Sequence, residues 1–171
     1  MTAASGSPFW RFSLRFYRQD GVADACITLQ EEAGVDVNLL LFLLWHATRK
    51  RSLSASEIAE LERRIAPWRN MTVIPLRTMR RALKLPSALV AGAPAELFRT
   101  RIKAVELEAE RLQQEAMHEL VGPSAMGVAS SSLEAAARAN IEAYACGRAF
   151  PSPATETLLA ALGRLGCNPE E

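Results

Sequence analysis

From Leu39 to Trp45 every residue is large and apolar, L-L-L-F-L-L-W. Seven residues make nearly two helical turns, so a helix here has no solvated side. Such a helix is surrounded by protein or lies in lipid. The run is too short to cross a bilayer, which needs roughly 17 or more apolar residues. The pattern therefore predicts a buried central helix over residues 36–50. Asp36 caps its start, and Arg49, Lys50 and Arg51 suit the negative end of its dipole.

The flanking patterns are helical too. Ser7 and Pro8 open a first helix carrying Phe9, Phe12, Leu14, Phe16 and Tyr17, with Arg11, Arg15 and Arg18 on the other side. Its aromatic face is expected to dock on the central helix. A second helix runs from Val22 to Ala33 between Gly21 and Gly34. Ser54 and Glu57 form a capping box for a fourth, amphipathic through Ile58, Leu61 and Ile65 to about Ala66. Pro67 opens the next segment, and Pro75 inside it predicts a kink or a restart. Leu76, Met79 and Leu83 give that segment an apolar stripe, with basic residues beside it.

A long helix is expected over residues 94–121. Phe98, Ile102, Val105, Ala109, Leu112, Ala116 and Leu120 recur at three- and four-residue steps, close to a heptad. The reading is a long packing helix first and a coiled-coil strand second. After a break at 122–130, Ser131 and Glu134 form another capping box, opening a helix to about Cys146. Ser152 and Pro153 start a last helix carrying Leu158, Leu159, Leu162 and Leu165. No stretch alternates with period two for long enough to argue a strand. The expectation is an all-α protein, a multi-helix bundle packed around the central helix. Residues 1–8 form a disordered N-terminus, 9–121 a helical core domain and 122–171 an Ala-rich two-helix extension.

Composition adds little beyond a single ordinary core. The 171 residues carry a formal net charge of +1, so the chain as a whole is not built to bind polyanions. Charge is unevenly spread: residues 1–85 hold 13 Lys/Arg and 8 Asp/Glu, a net of +5, and residues 86–171 hold 7 and 11, a net of −4. Cys26, Cys146 and Cys167 are too scattered for a zinc motif and too few for a disulfide scaffold; Cys26 reads as a buried thiol. The opening residues M-T-A-A-S-G-S-P lack a basic stretch followed by an apolar one. A cytoplasmic location is expected.

Catalytic signatures are lacking. There is no H-E-x-x-H, G-x-S-x-G, P-loop or G-x-G-x-x-G. His46 stands ten residues from Asp36 and eight from Asn38, about 15 and 12 Å along a helix, so those side chains cannot assist it within the same helix. It reads as a hydrogen-bonded or surface histidine at a helix end. No catalytic residue, metal site or cofactor is expected.

One constellation is both basic and aromatic. Arg69, Arg77, Arg80, Arg81 and Lys84 fall within 16 residues, with Trp68 just ahead of them. Guanidinium forks match carboxylate and phosphate oxygens, so this cluster is the candidate binding site. The competing reading is a solvated face, or internal pairing with the Glu-rich long helix. Nucleic acid is not expected, because the basic half carries too little charge and shows no helix-turn-helix spacing.

Three blocks resemble a known family: F-W-R-F-S-L-R-F-Y from Phe9, G-V-A-D-A-C-I-T-L-Q-E-E-A-G-V-D-V-N-L-L-L-F-L-L-W from Gly21, and A-P-W-R-N-M-T-V-I-P-L-R-T-M-R-R-A-L-K from Ala66. Together they are similar, over about residues 9–121, to an uncharacterised family of small all-helical proteobacterial proteins. The resemblance implies an all-helical cytoplasmic protein and carries no activity, cofactor or catalytic residue. The functional expectation is a non-catalytic helical protein–protein interaction or regulatory module, with a protein partner or self-association. The alternative is a protein that binds a small anionic metabolite through the Arg cluster beside a Trp-containing core.

Overall fold

The structure, a computed structural model, describes residues 6–85, 87–121 and 126–166. Residues 1–5 of the expected disordered N-terminus, part of the break after Val121 and the tail with Cys167 lie outside the described residues.

Asp36 begins the central helix, α3 (Val37–Thr48), and its carboxylate accepts the N–H groups of Asn38 and Leu39 at 2.8 and 3.2 Å. Every residue from Asn38 to Ala47 is buried. On one side lies α1 (Pro8–Tyr17), capped by Ser7, with Phe9 edge-on to Phe42 at 5.1 Å between ring centres. Next to it α2 (Val22–Ala33) ends at Gly34, whose φ of 63° is the left-handed cap that glycine favours.

Two late helices close the other side of α3. α7 (Leu133–Ala145) lays Ala136, Ala137, Asn140, Ile141 and Tyr144 against it. α8 (Ser152–Gly166) packs on α2 through buried Leu158 and Leu162. Their apolar residues belong to the same buried cluster as those of α1 to α3. Alanine makes this possible, because small side chains let helix axes approach closely. The N-cap of α7 is Ser132, one residue later than the sequence suggests.

A two-residue antiparallel pair, β1 (Arg51–Ser52) with β2 (Val128–Ala129), ties the end of α3 to the approach to α7. It is too short to show any period in the sequence. Asn140 pins it from inside: its Oδ1 accepts the Leu53 N–H at 2.7 Å, and its Nδ2 donates to the carbonyls of Leu43 and Arg51 at 2.9 and 3.1 Å. At Gly127, with φ of 72°, a Cβ would collide with the carbonyl of Ser52, so no other residue fits.

α4 (Ala55–Trp68) starts with the expected capping box. Pro67 does not open a new segment: it sits in the last turn of α4, and the helix runs on. A π-helical turn over Arg69–Val73 follows, in which the Ile74 N–H reaches back five residues to the Arg69 carbonyl. This widened turn stands immediately before Pro75, which has no N–H to give and whose ring crowds the carbonyl four residues back. α5 (Ile74–Ala82) restarts from there. The chain then reverses into the long α6 (Ala93–Val121).

Of the stripes expected on α5 and α6, only Ala109 is buried. No α5 residue is buried. On α6 the buried positions are Glu106, Ala109, Gln113, Gln114, Met117 and Val121, whereas Phe98, Val105 and Leu112 are about half exposed. The reason is electrostatic. Where these two helices meet each other and the N-terminal end of α3, the groups in contact are charged and amide, whereas Met117 and Val121 at the far end of α6 join the apolar core.

Candidate functional site

Helical spacing along the π turn and α5 brings Arg69, Arg77, Arg80 and Arg81 to one seam between α2, α3 and α6. Each faces a carboxylate. Arg69 Nη1 donates to Asp36 Oδ2 at 3.1 Å and lies 3.7 Å from Glu62. Arg77 is held by three acceptors: Nε to Glu106 at 3.1 Å, Nη1 to Gln30 at 2.6 Å and Nη2 to Glu110 at 2.6 Å. Arg80 donates both Nε and Nη2 to Glu106. Arg81 Nη2 reaches Glu31 at 3.0 Å in a more exposed position. Trp68 donates its Nε1–H to the Ala109 carbonyl at 3.0 Å, which locks α4 to α6. Lys84 lies just past α5 and is exposed. Because Arg77 pairs with Glu110 and Arg80 with Glu106, α5 and α6 run antiparallel.

The acids of the seam are the functional groups that the basic cluster alone did not reveal. Burial works to raise the Glu106 pKa, but the hydrogen bonds from Arg80 and Arg77 outweigh it, and the carboxyl sits below its usual range. Glu110 goes the other way. Burial raises it, with the nearby charges of Glu106 and Asp36 adding, and Arg77 only partly opposes them. The Arg80 guanidinium is raised by its hydrogen bonds to Glu106. The seam continues inward as amides: Gln113 Nε2 donates to Asp36 at 3.3 Å and Gln114 Nε2 to Asn38 at 2.8 Å. Three buried atoms there have no hydrogen-bond partner among the described residues: Arg69 Nε, Gln113 Oε1 and Gln114 Oε1.

A cleft of about 510 Å³ opens over the seam between the α2–α3 junction and the π turn. Arg69, Arg77 and Arg81 line it together with Asp36, Glu31 and Glu62, so both signs of charge face the space. None of the three tryptophans lines it. Trp10 and Trp45 are buried in the core instead. Among the described residues, no cluster of His, Cys, Asp and Glu could hold a metal ion. No helix among them is long and apolar enough to cross a membrane.

α5 and the first half of α6 form an arm with little cover of its own. Its outer surface shows Met71, Met79, Leu85, Leu89, Leu97 and Phe98, from 45% exposed at Met79 to 93% at Leu89. The set runs from the π turn (Met71) through α5 (Met79) and the loop after it (Leu85, Leu89) into the start of α6 (Leu97, Phe98).

A protein family described as "Protein of unknown function (DUF2390)" matches residues 8–117. The chain belongs to that family. No curated protein and no solved structure matches it. The DUF2390 stretch runs from the start of α1 to Met117 in α6 and so contains the charged seam, the cleft and the whole arm. α7 and α8, which complete the core around α3, come after it in the chain.

Proposed function

We propose that this chain is a non-catalytic helical protein–protein interaction module that works through the outer surface of the α5–α6 arm. One observation carries the reading: the apolar side chains that would ordinarily cover a core are on the outside of the arm, while its inside is ionic. The Arg–Glu seam makes the arm a fixed scaffold, and the exposed Met and Leu side chains supply adaptable contact area. We place this activity in the cytoplasm, in keeping with the free thiols of Cys26 and Cys146.

The second reading is a small anionic metabolite bound in the cleft. The unpartnered Nε of Arg69 favours it. The engagement of Arg77 and Arg80 by Glu106 and Glu110 counts against it, since a ligand anion would have to displace those carboxylates.

The test is affinity capture from the native host with the intact chain and with a Met71→Glu/Leu89→Glu variant. Both positions are largely exposed, so the variant keeps its fold, which thermal melting checks. The expected result is a protein held by the intact chain and lost by the variant. An identical set of captured proteins for the two chains would overturn the reading.

A further inference from the structure

The sequence of α6 is a charge palindrome. From Leu97 to Leu112 it reads L-F-R-T-R-I-K-A-V-E-L-E-A-E-R-L. Folded back between Ala104 and Val105, each Lys or Arg of the first half meets a Glu of the second, and Leu97 meets Leu112. The helix is thus basic toward its start and acidic toward its end.

Only part of this pattern is used inside the chain. Glu106 and Glu110 turn toward α5 and are taken by Arg77 and Arg80. The outward face is different. Leu97, Arg101, Ala104 or Val105, Glu108 and Leu112 follow one another at three- or four-residue steps on one face, and all six are exposed. Glu108 pairs only with Arg111 one turn on, in an exposed position. No ion pair to Arg101 is present among the described residues. This face spans about 23 Å at 1.5 Å per residue.

We infer that the outward face of α6 is a self-association surface, which pairs with the same face of a second copy of this chain in antiparallel orientation about a two-fold axis between Ala104 and Val105. The inference rests on the reading of the arm as an interaction surface and names its partner. In a two-fold interface every contact occurs twice. Arg101 meets the partner's Glu108, and Glu108 meets the partner's Arg101. Leu97 packs on the partner's Leu112 at each end. At the centre, Ala104 beside the partner's Val105 leaves room for close approach of the helices. A parallel pair would set Arg101 against the partner's Arg101 and Glu108 against the partner's Glu108, and like charges at such positions are destabilising. The charges therefore select the antiparallel form. The face is short for a protein interface, so the dimer is a weak one that exchanges subunits readily.

The experiment is sedimentation equilibrium on the full chain over a concentration series, at low and high salt. The intact chain is expected to dimerise, less tightly at high salt. Arg101→Glu and Glu108→Arg are each expected to weaken the dimer at least tenfold, because each creates two like-charge pairs. Mixing the two variants restores both pairs in a heterodimer, and the double variant R101E/E108R restores them in a homodimer. Unchanged circular dichroism and melting confirm that the variants are folded. An intact chain that is monomeric at every concentration would overturn the proposal, as would single variants that dimerise as well as the intact chain. So would a mixture, or a double variant, that fails to recover. A monomer that still loses a captured protein through Met71→Glu/Leu89→Glu leaves the interaction-module reading standing and removes the second copy as its partner.

Discussion

His46 has no hydrogen-bond partner among the described residues for either ring nitrogen, although it is 1% exposed. It stands edge-on to Phe42 and Trp45, with ring centres 4.6 and 5.1 Å away. This is neither of the roles that its place at a helix end suggested. Burial lowers its pKa to about 4, with the charges of Arg49 and Arg51 adding to the effect. The linkage sign follows. In the unfolded chain the ring takes a proton near pH 6.5, while in the native state it stays neutral down to about pH 4. Between those values the unfolded state binds more protons, so stability falls as pH falls. From pH 8 to pH 4.5 the loss from this one group is on the order of 2–3 kcal/mol. Replacing His46→Leu is expected to remove that part of the slope, read as the change in urea midpoint between the two pH values. An acid limb equally steep in both proteins would contradict it. Asp36 is the opposite case, a residue whose role was legible at once as a helix cap. Its further partners, Arg69, Gln113 and the Tyr144 hydroxyl that accepts its backbone N–H, come from 33 to 108 residues away and leave no local trace.

At the level of elements, the helices declared themselves, and so did the facing of α1, α2 and α4, whereas the facing of α5 and α6 did not. Capping at Ser54, the Gly34 stop and the apolar run of α3 are local signals, and the structure follows them. The orientation of α5 and α6 depends on charges that are meaningless until they meet. From the sequence Arg77 and Arg80 fit an anion site, a solvated face or pairing with the Glu-rich long helix, and the apolar period alone does not choose; the structure shows the pairing. Glu106, the residue that turns them inward, lies 29 and 26 positions further on. Replacing Glu106→Gln leaves two guanidiniums facing an amide in a half-closed seam. The expected cost is about 2–3 kcal/mol in chemical unfolding, below a wholly buried pair because both arginines retain some contact with water. The π turn makes the seam possible. It inserts the change of phase that carries the face of α4 around to α6, and Pro75 keeps it in place. A loss under about 0.5 kcal/mol for Glu106→Gln would show that the seam is held by other contacts, the surface-pair level of contribution.

On the scale of the whole molecule, the candidate surface was half legible. The basic, acidic and apolar residues that make the arm were all visible, and their division into an ionic inside and an apolar outside was only one of the readings they allowed. The extension after Val121 shows the same gap between composition and role. Few of its side chains are large, and alanine carries a weak hydrophobic signal. Yet α7 is the neighbour that α3 touches most, and it brings Asn140 to the carbonyls of Leu43 and Arg51. A chain cut after Val121 is expected to lose cooperative melting and near-ultraviolet circular dichroism; a sharp transition at the melting temperature of the full chain would refute this.

That seat for Asn140 also sets a clock on the ribosome. The partner of Leu43 is 97 residues further along, so the most apolar helix of the molecule emerges long before its cover is synthesised. At about 5–20 residues per second the interval is on the order of 5–20 seconds. During that time α3 lacks α7, its largest cover, and the nascent chain is a natural client for a holding chaperone. The helices made last are thus what complete the fold around α3.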